Sequence, residues 1–202
     1  MRTKHTKQNG FTFIEIMLAM SIFVLIGLSF TLFARNIWYY NSIISSGLSQ
    51  ADSARIAFKK MTAEIRTASD ADTGAYTIHT ALASSFIFHS DIDGDGLKER
   101  VRYFLSGTSL QKGVIKPTGS PLTYNSANET ISTFINSSVS SLLFQYYDKN
   151  YDGTTAALTM PVNIPNIRLV KITIIMDKDP NRPPLPVTSS TQVAIRNLKD
   201  NL

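Results

Sequence analysis

The chain has no cysteine. That excludes a disulfide-stapled domain, a thiolate zinc site, a thiol nucleophile and a lipid-modified N-terminal cysteine. Charge is also scarce: Asp, Glu, Lys and Arg make up 17% of the residues, against about 25% in ordinary soluble domains. The shortage is local, because between Phe11 and Ala34 the only charged side chain is Glu15. No proline occurs before Pro117, so nothing in that half of the chain removes a backbone donor and breaks a long helix. Histidine is rare, at three in 202 residues, and there is no G-x-S-x-G, P-loop or H-E-x-x-H pattern to suggest catalysis. With 43% hydrophobic residues, the chain is neither fully disordered nor collagen-like, and a lone apolar run excludes a multi-pass membrane protein.

The formal charge of +5 is largely an end effect, since Arg2, Lys4 and Lys7 supply three of the positive charges. No basic stripe remains that would suggest nucleic acid. Residues 1–10 are polar and positive, and Ile16 to Ala34 then runs without a charge. As a helix that run spans about 28 Å, close to the hydrocarbon thickness of a bilayer. Positive residues ahead of it favour a cytoplasmic N-terminus, with the remainder of the chain on the other side. A cleavable secretory signal has a shorter apolar region and a small-x-small site behind it. Here Arg35, Trp38, Tyr39 and Tyr40 come next instead, the composition of a membrane-interface belt. A plain signal anchor accounts for the run and leaves Glu15 among the headgroups without a role. A carboxylate costs about 2–3 kcal/mol near the bilayer centre and less at its edge, so such a residue calls for a partner.

The stretch Gly10-Phe11-Thr12-Phe13-Ile14-Glu15, with the basic leader before it and the apolar run after it, resembles the N-terminal processing motif of type IV prepilins and type II secretion pseudopilins. In that family a short basic leader ends in Gly, Phe is usually next, and a Glu sits five residues into the mature chain. The resemblance implies that a prepilin peptidase cuts after Gly10 and that the new amine of Phe11 is N-methylated. It implies that Glu15 pairs with the terminal amine of a neighbouring subunit, so that two costly charges satisfy each other. Other minor and major pilins or pseudopilins, an inner-membrane platform protein and a cytoplasmic assembly ATPase are the partners it implies. The implied location is a single pass through the inner membrane, with the N-terminus cytoplasmic and the C-terminal domain periplasmic or extracellular, and then entry into a filament. Family members often carry a proline where Leu32 stands here, and Gly27 offers a soft point in the same helix.

Past Ala34, apolar residues fall at Ile37, Tyr40, Ile44, Leu48, Ala51, Ala54, Phe58, Met61 and Ile65. These spacings of three and four mark one face of a helix. Arg55, Lys59, Lys60 and Glu64 lie off that stripe. The helix is expected to run to about Ala68, where Ser69, Asp70, Asp72 and Gly74 end it. Beyond it, strands are expected at Ser85–His89, Val101–Leu105, Leu110–Ile115, Ser141–Tyr147, Leu169–Met176 and Gln192–Ile195. The proline-rich segment 180–186 reads as a stiff spacer before the last strand.

The expected fold is therefore α+β. A long N-terminal helix, transmembrane in its first half and amphipathic in its second, packs on an antiparallel β-sheet domain. The expected divisions are a leader at 1–10, a membrane and assembly helix at 11–35, its amphipathic continuation at 36–68 and the β-domain at 69–202. The segments Ser141–Asp148, Arg168–Met176 and 193–197 look like the PulJ/GspJ and PilW types of minor subunit. The lack of cysteine departs from the disulfide-bounded loop of many major pilins.

One further motif carries chemistry. Asp91-Ile92-Asp93-Gly94-Asp95-Gly96-Leu97-Lys98-Glu99 puts carboxylates at loop positions 1, 3, 5 and 9 with Gly at 6. One short loop can wrap such oxygens, with the Leu97 carbonyl as a further ligand, around a hard cation, and calcium suits the spacing. An EF-hand needs Glu at position 12, where Arg102 stands. The competing reading is an acidic Asp-Gly hairpin turn neutralised by Lys98, Arg100 and Arg102, and the residues leave both open. Asp148-Lys149-Asn150-Tyr151-Asp152-Gly153 repeats the start of the spacing without a later carboxylate. Apart from a metal there, no cofactor is called for. Two other functions compete with a filament subunit: a membrane-anchored, exported calcium-binding adhesin with no filament role, and an anchored exported enzyme. No acid/base pair supports the latter, and the sequence expectation is a protein that is not an enzyme.

Overall fold

A computed structural model of the chain describes residues 10–136, 138–179, 181 and 183–198. The leader expected at 1–10 lies outside them except for Gly10, as do Pro180 and Arg182 of the proline-rich spacer. The chain divides into two compact units between Ser45 and Ser46. Helix α1, Phe13–Arg66, is 54 residues long, an unbroken run that the lack of proline permits. It ends two residues before the expected Ala68, with Arg66 in its last turn, where a cation meets the carbonyl end of the helix dipole. The Asp70 carboxylate fixes the chain beyond it, accepting from the N–H and the hydroxyl of Thr77 at 3.0 and 2.6 Å.

In the first unit the helix is exposed nearly all round, and its apolar window has a mean hydropathy of 2.5. A helix that is apolar on every side demands lipid or other helices. Its hydroxyls are made harmless locally: Ser21, Ser29 and Thr31 donate to the carbonyls of Met17, Leu25 and Leu28, each at 2.8 Å. A hydroxyl bonded to its own helix presents no unpaired donor to hydrocarbon.

Among the described residues, the second unit holds eight strands: β1 Ile78–Ala81, β2 Ser85–Ser90, β3 Glu99–Ser106, β4 Ser109–Ile115, β5 Thr130–Ile135, β6 Val139–Tyr147, β7 Leu169–Met176 and β8 Val187–Ala194. All six expected strands are present; β1 and β5 were not expected. All pairings are antiparallel and sequential, and they form two sheets, β1–β5 and β6–β8. A single sheet fails because β6 lies against the turns of the first sheet instead of extending it. The Phe144 N–H donates to the Ala83 carbonyl at 2.7 Å and the Val139 N–H to the Thr108 carbonyl at 2.9 Å. The alternation read in β7 holds: Val170, Ile172, Ile174 and Met176 are buried, and Lys171, Thr173 and Ile175 are half-buried.

Both sheets share one core with Ala54, Ala57, Phe58, Met61 and Ile65 of the helix. Burying each of the three larger side chains is worth about 1.5–3 kcal/mol. The expected stripe is correct only from Ala54 onward. Ile37, Tyr40, Ile44 and Leu48 are exposed, because periodicity marks a face without saying what covers it. Glu64, which lies off that stripe, nevertheless points inward. Its Oε1 accepts from the Lys112 ammonium at 2.7 Å and its Oε2 from the Tyr103 hydroxyl at 2.5 Å. Tyr103 and Lys112 face each other across β3 and β4. The Glu64 and Lys112 side chains are only 11% and 5% exposed, so each charge relies on the other. Burial first, and then the neighbouring carboxylate, push the Tyr103 pKa up. Removing one member should therefore cost far more than removing both. Lys112→Met is expected to destabilise the β-domain by about 3–5 kcal/mol, and Glu64→Met with Lys112→Met to recover most of that. Thermal unfolding of the detergent-solubilised chain checks it, and equal losses in the single and double variants would contradict the pairing.

Candidate functional site

Two places in the chain concentrate polar groups beyond the needs of packing. The first is the start of the helix. Gly10 and Phe11 precede α1 without helical structure, and both are exposed. Among the described residues, a Cβ built on Gly10 would have nothing within 4 Å beyond its chain neighbours. Thr12 stands immediately before the first helical residue and Glu15 three residues after Thr12, the arrangement of a capping box. The Thr12 N–H donates to Glu15 Oε2 and the Glu15 N–H to Thr12 Oγ1, both at 3.4 Å. These bonds are long, and they nevertheless occupy donors that a helix start otherwise leaves without partners. The carboxylate also sits at the positive end of the helix dipole. Glu15 is thus placed within one turn of the amine that cutting the Gly10–Phe11 bond would create.

Residues 5–31 match the family model of the prokaryotic N-terminal methylation motif. The match spans the resemblance seen in Gly10 to Glu15 and the first part of the apolar run. It supports a place in the type IV pilin-like superfamily and a prepilin-like role as a pilin or pseudopilin. The motif implies processing by a peptidase and assembly with other pilins, and together with the exposed apolar helix it fits anchoring in a membrane. A search of curated proteins finds no match to this chain.

The second place is the acidic hairpin between β2 and β3. Asp91, Asp93 and Glu99 come together, with one carboxylate oxygen of each within 4.8 Å of the others. Asp95 is not part of that cluster. Its Oδ1 accepts from the Leu97 N–H at 2.9 Å and its Oδ2 from Lys116 at 3.1 Å. Leu97 enters through that N–H. Gly94 and Gly96 adopt φ of 78° and 91°, a backbone that side-chain-bearing residues rarely take, and their N–H groups donate to the two Asp91 oxygens at 2.7 and 3.1 Å. Glu99 is fully buried. Its Oε2 accepts from the Ile92 N–H at 3.0 Å, and Oε1 has no hydrogen-bond partner. Burial raises the Glu99 pKa, whereas the Leu97 N–H and then Lys116 lower that of Asp95.

The expected neutralising cations are engaged elsewhere. Lys98 pairs with Asp72 at 3.3 Å, Arg102 with Glu129 at 2.6 Å, and Arg100 donates to Ser126 Oγ at 3.0 Å. The cation at the cluster is Lys116, bonded to Asp93 and Asp95. Sequence reasoning missed it, although a signal existed. Arg100 pairs with Ile115 across the β3–β4 hairpin, so the next residue pair in register is Glu99 and Lys116. In the second acidic segment the carboxylates are consumed by turns: Asp148 accepts from the Asn150 N–H, and Asp152 from the N–H and hydroxyl groups of Thr154 and Thr155. Those bonds, led by the Thr155 hydroxyl, hold the Asp152 carboxyl below the usual range.

The capping box makes a prediction of its own. In the full chain in micelles, Thr12→Val should speed hydrogen exchange at the first-turn amides about fivefold, the equivalent of losing a cap worth about 1 kcal/mol. Unchanged exchange measured by NMR would mean that the box does not form.

Proposed function

We propose that this chain is a minor pilin or pseudopilin subunit, of the PulJ/GspJ or PilW type, that enters or initiates a type IV pilus or a type II secretion pseudopilus. The observation that carries the reading is an exposed Gly10–Phe11 bond close to Glu15, the one charged residue between Phe11 and Ala34, within the matched methylation motif. Hydrolysis of that bond leaves a carboxylate on Gly10 and a cationic amine on Phe11, and methylation keeps that amine cationic. Glu15 in turn pairs with the amine of an adjacent subunit. In an apolar surrounding each charge is costly alone, so the pairing favours docking and sets its register.

On this reading the leader stays cytoplasmic and the β-domain lies on the periplasmic or outer side. A platform protein and a cytoplasmic ATPase drive assembly, and the protein performs no chemistry of its own. The apolar helix supports the reading, since its exposed side chains from Phe13 to Phe33 suit lipid before assembly and neighbouring helices after it. Departure from the alternative of an anchored adhesin is testable, because an adhesin would be absent from filaments.

Mass spectrometry of the protein from cells with an active prepilin peptidase should find a chain beginning at N-methylated Phe11. Gly10→Val should remain an uncut precursor in the membrane. Glu15→Ala should be cut yet enter filaments at less than about a tenth of the normal level, the factor that ~1.4 kcal/mol of lost pairing gives. Normal maturation of the Gly10 variant would refute the processing step. Normal incorporation of the Glu15 variant would refute the pairing.

A further inference from the structure

The acidic hairpin lies outside the N-terminal motif, and its geometry stands independently of that reading. Its defining feature is an imbalance at Glu99. This carboxylate is fully buried, one oxygen is satisfied by the Ile92 N–H, and the other has no hydrogen-bond partner. A buried acceptor left unsatisfied costs about 1–3 kcal/mol, more when it is charged. The unsatisfied Oε1 faces the Lys116 ammonium at 4.0 Å, too far for a hydrogen bond. That same ammonium touches Asp93 and Asp95. The position it occupies is therefore a cation position ringed by three carboxylates, and the ammonium serves only two of them well.

We propose that the β2–β3 hairpin binds a calcium ion through Asp91, Asp93 and Glu99, and that the Lys116 ammonium, which bonds Asp93 and lies 4.0 Å from Glu99, competes with calcium for those two carboxylates. Calcium takes six to eight oxygens at about 2.3–2.6 Å, so oxygens on opposite sides of one ion lie about 5 Å apart. The three oxygens lie within 4.8 Å of one another, close enough to share one such ion. A carboxylate oxygen that accepts one N–H keeps a second lone pair for a metal, so the turn bonds to Asp91 do not disqualify it. Asp95, already at the Lys116 ammonium, becomes available when the lysine leaves, and water completes the shell. Displacement is easy because the Lys116 side chain is 54% exposed and can swing into solvent. The loop is rich in carboxylates, which suits calcium over the smaller magnesium ion with its strict octahedral demand. Asp72 braces the exit of the loop by accepting from the Lys98 N–H at 2.6 Å.

The test is calorimetric titration of the chelator-treated, detergent-solubilised full chain with calcium chloride, and then thermal unfolding. One site is expected, with a Kd of about 10⁻⁴–10⁻³ M, the range of extracellular calcium modules. At calcium about a hundredfold above Kd, Tm should rise by about 5–10 °C. Asp93→Asn and Glu99→Gln should each abolish the heat and the shift. Lys116→Met provides the arm that a misfolded ligand variant cannot confuse. With its competitor gone, it should bind calcium about tenfold more tightly than wild type, a modest gain because the ion pairs it removes are exposed. No binding by either wild type or Lys116→Met at 10 mM calcium (about ten times the weakest expected Kd) would overturn the proposal and leave the lysine as the permanent counter-charge. A Tm shift that persists in Asp93→Asn, or magnesium binding as tight as calcium, would overturn it as well.

Discussion

The Glu64 carboxylate is the contact on which the placement of the helix in the β-domain depends. It receives Lys112 and Tyr103 from neighbouring strands of the first sheet. An apolar face alone lets a helix slide or roll on a sheet, because hydrophobic contact has no direction. A charge and a hydroxyl reaching one carboxylate fix both the rotation and the position along the axis. The Lys60 ammonium over the Phe134 ring at 5.0 Å and the Ser90 hydroxyl on the Glu64 carbonyl at 3.1 Å act on the same two turns. With those turns pinned, Met61 and Ile65 enter the shared core and both sheets find their third layer.

One continuous helix has to meet two different solvents. Its backbone bonds are internal throughout, which is what hydrocarbon requires and what a protein core tolerates. Only the side chains change along it: uncharged after Glu15 up to Ala34, then mixed, then buried on one face from Ala54 to Ile65. The match to the methylation motif covers the part with the strictest chemical constraints. A segment that crosses lipid admits few residue types at each position, whereas an antiparallel sheet needs only alternation, turns and a filled core.

That difference also governs what could be read from the chain. The helix, its membrane-compatible half, the cleavage motif and six of the eight strands were legible, because each leaves a periodic or spaced pattern in consecutive residues. β1 was missed because four residues, Ile-His-Thr-Ala, are too few to show alternation. β5 was missed because most of it is exposed at the edge of the sheet and little selects its apolar positions. The inward turn of Glu64 and the role of Lys116 could not be read locally. Each depends on a partner brought close by hairpin register, 48 residues away for Glu64 and Lys112 and 23 for Asp93 and Lys116. Isolated charges on a helix face look solvated until the opposing strand is in place.

Three glutamates carry a common logic. Glu64 and Glu99 are shielded from water and Glu15 opens an apolar stretch of helix, and each carboxylate is held by a different degree of compensation. Glu64 is fully answered, by an ammonium and a hydroxyl. Glu15 is answered weakly, by one long bond from the Thr12 N–H. Glu99 is answered on one oxygen only. A completely compensated buried charge is structural, because any new partner would have to displace an equal one. An incompletely compensated charge retains free energy for something that arrives later, and the form of the deficit indicates the arrival. At Glu15 the deficit lies at an open helix end in an apolar segment, where a cationic amine from another chain can approach. At Glu99 it lies beside Asp91 and Asp93 and faces an exposed lysine ammonium.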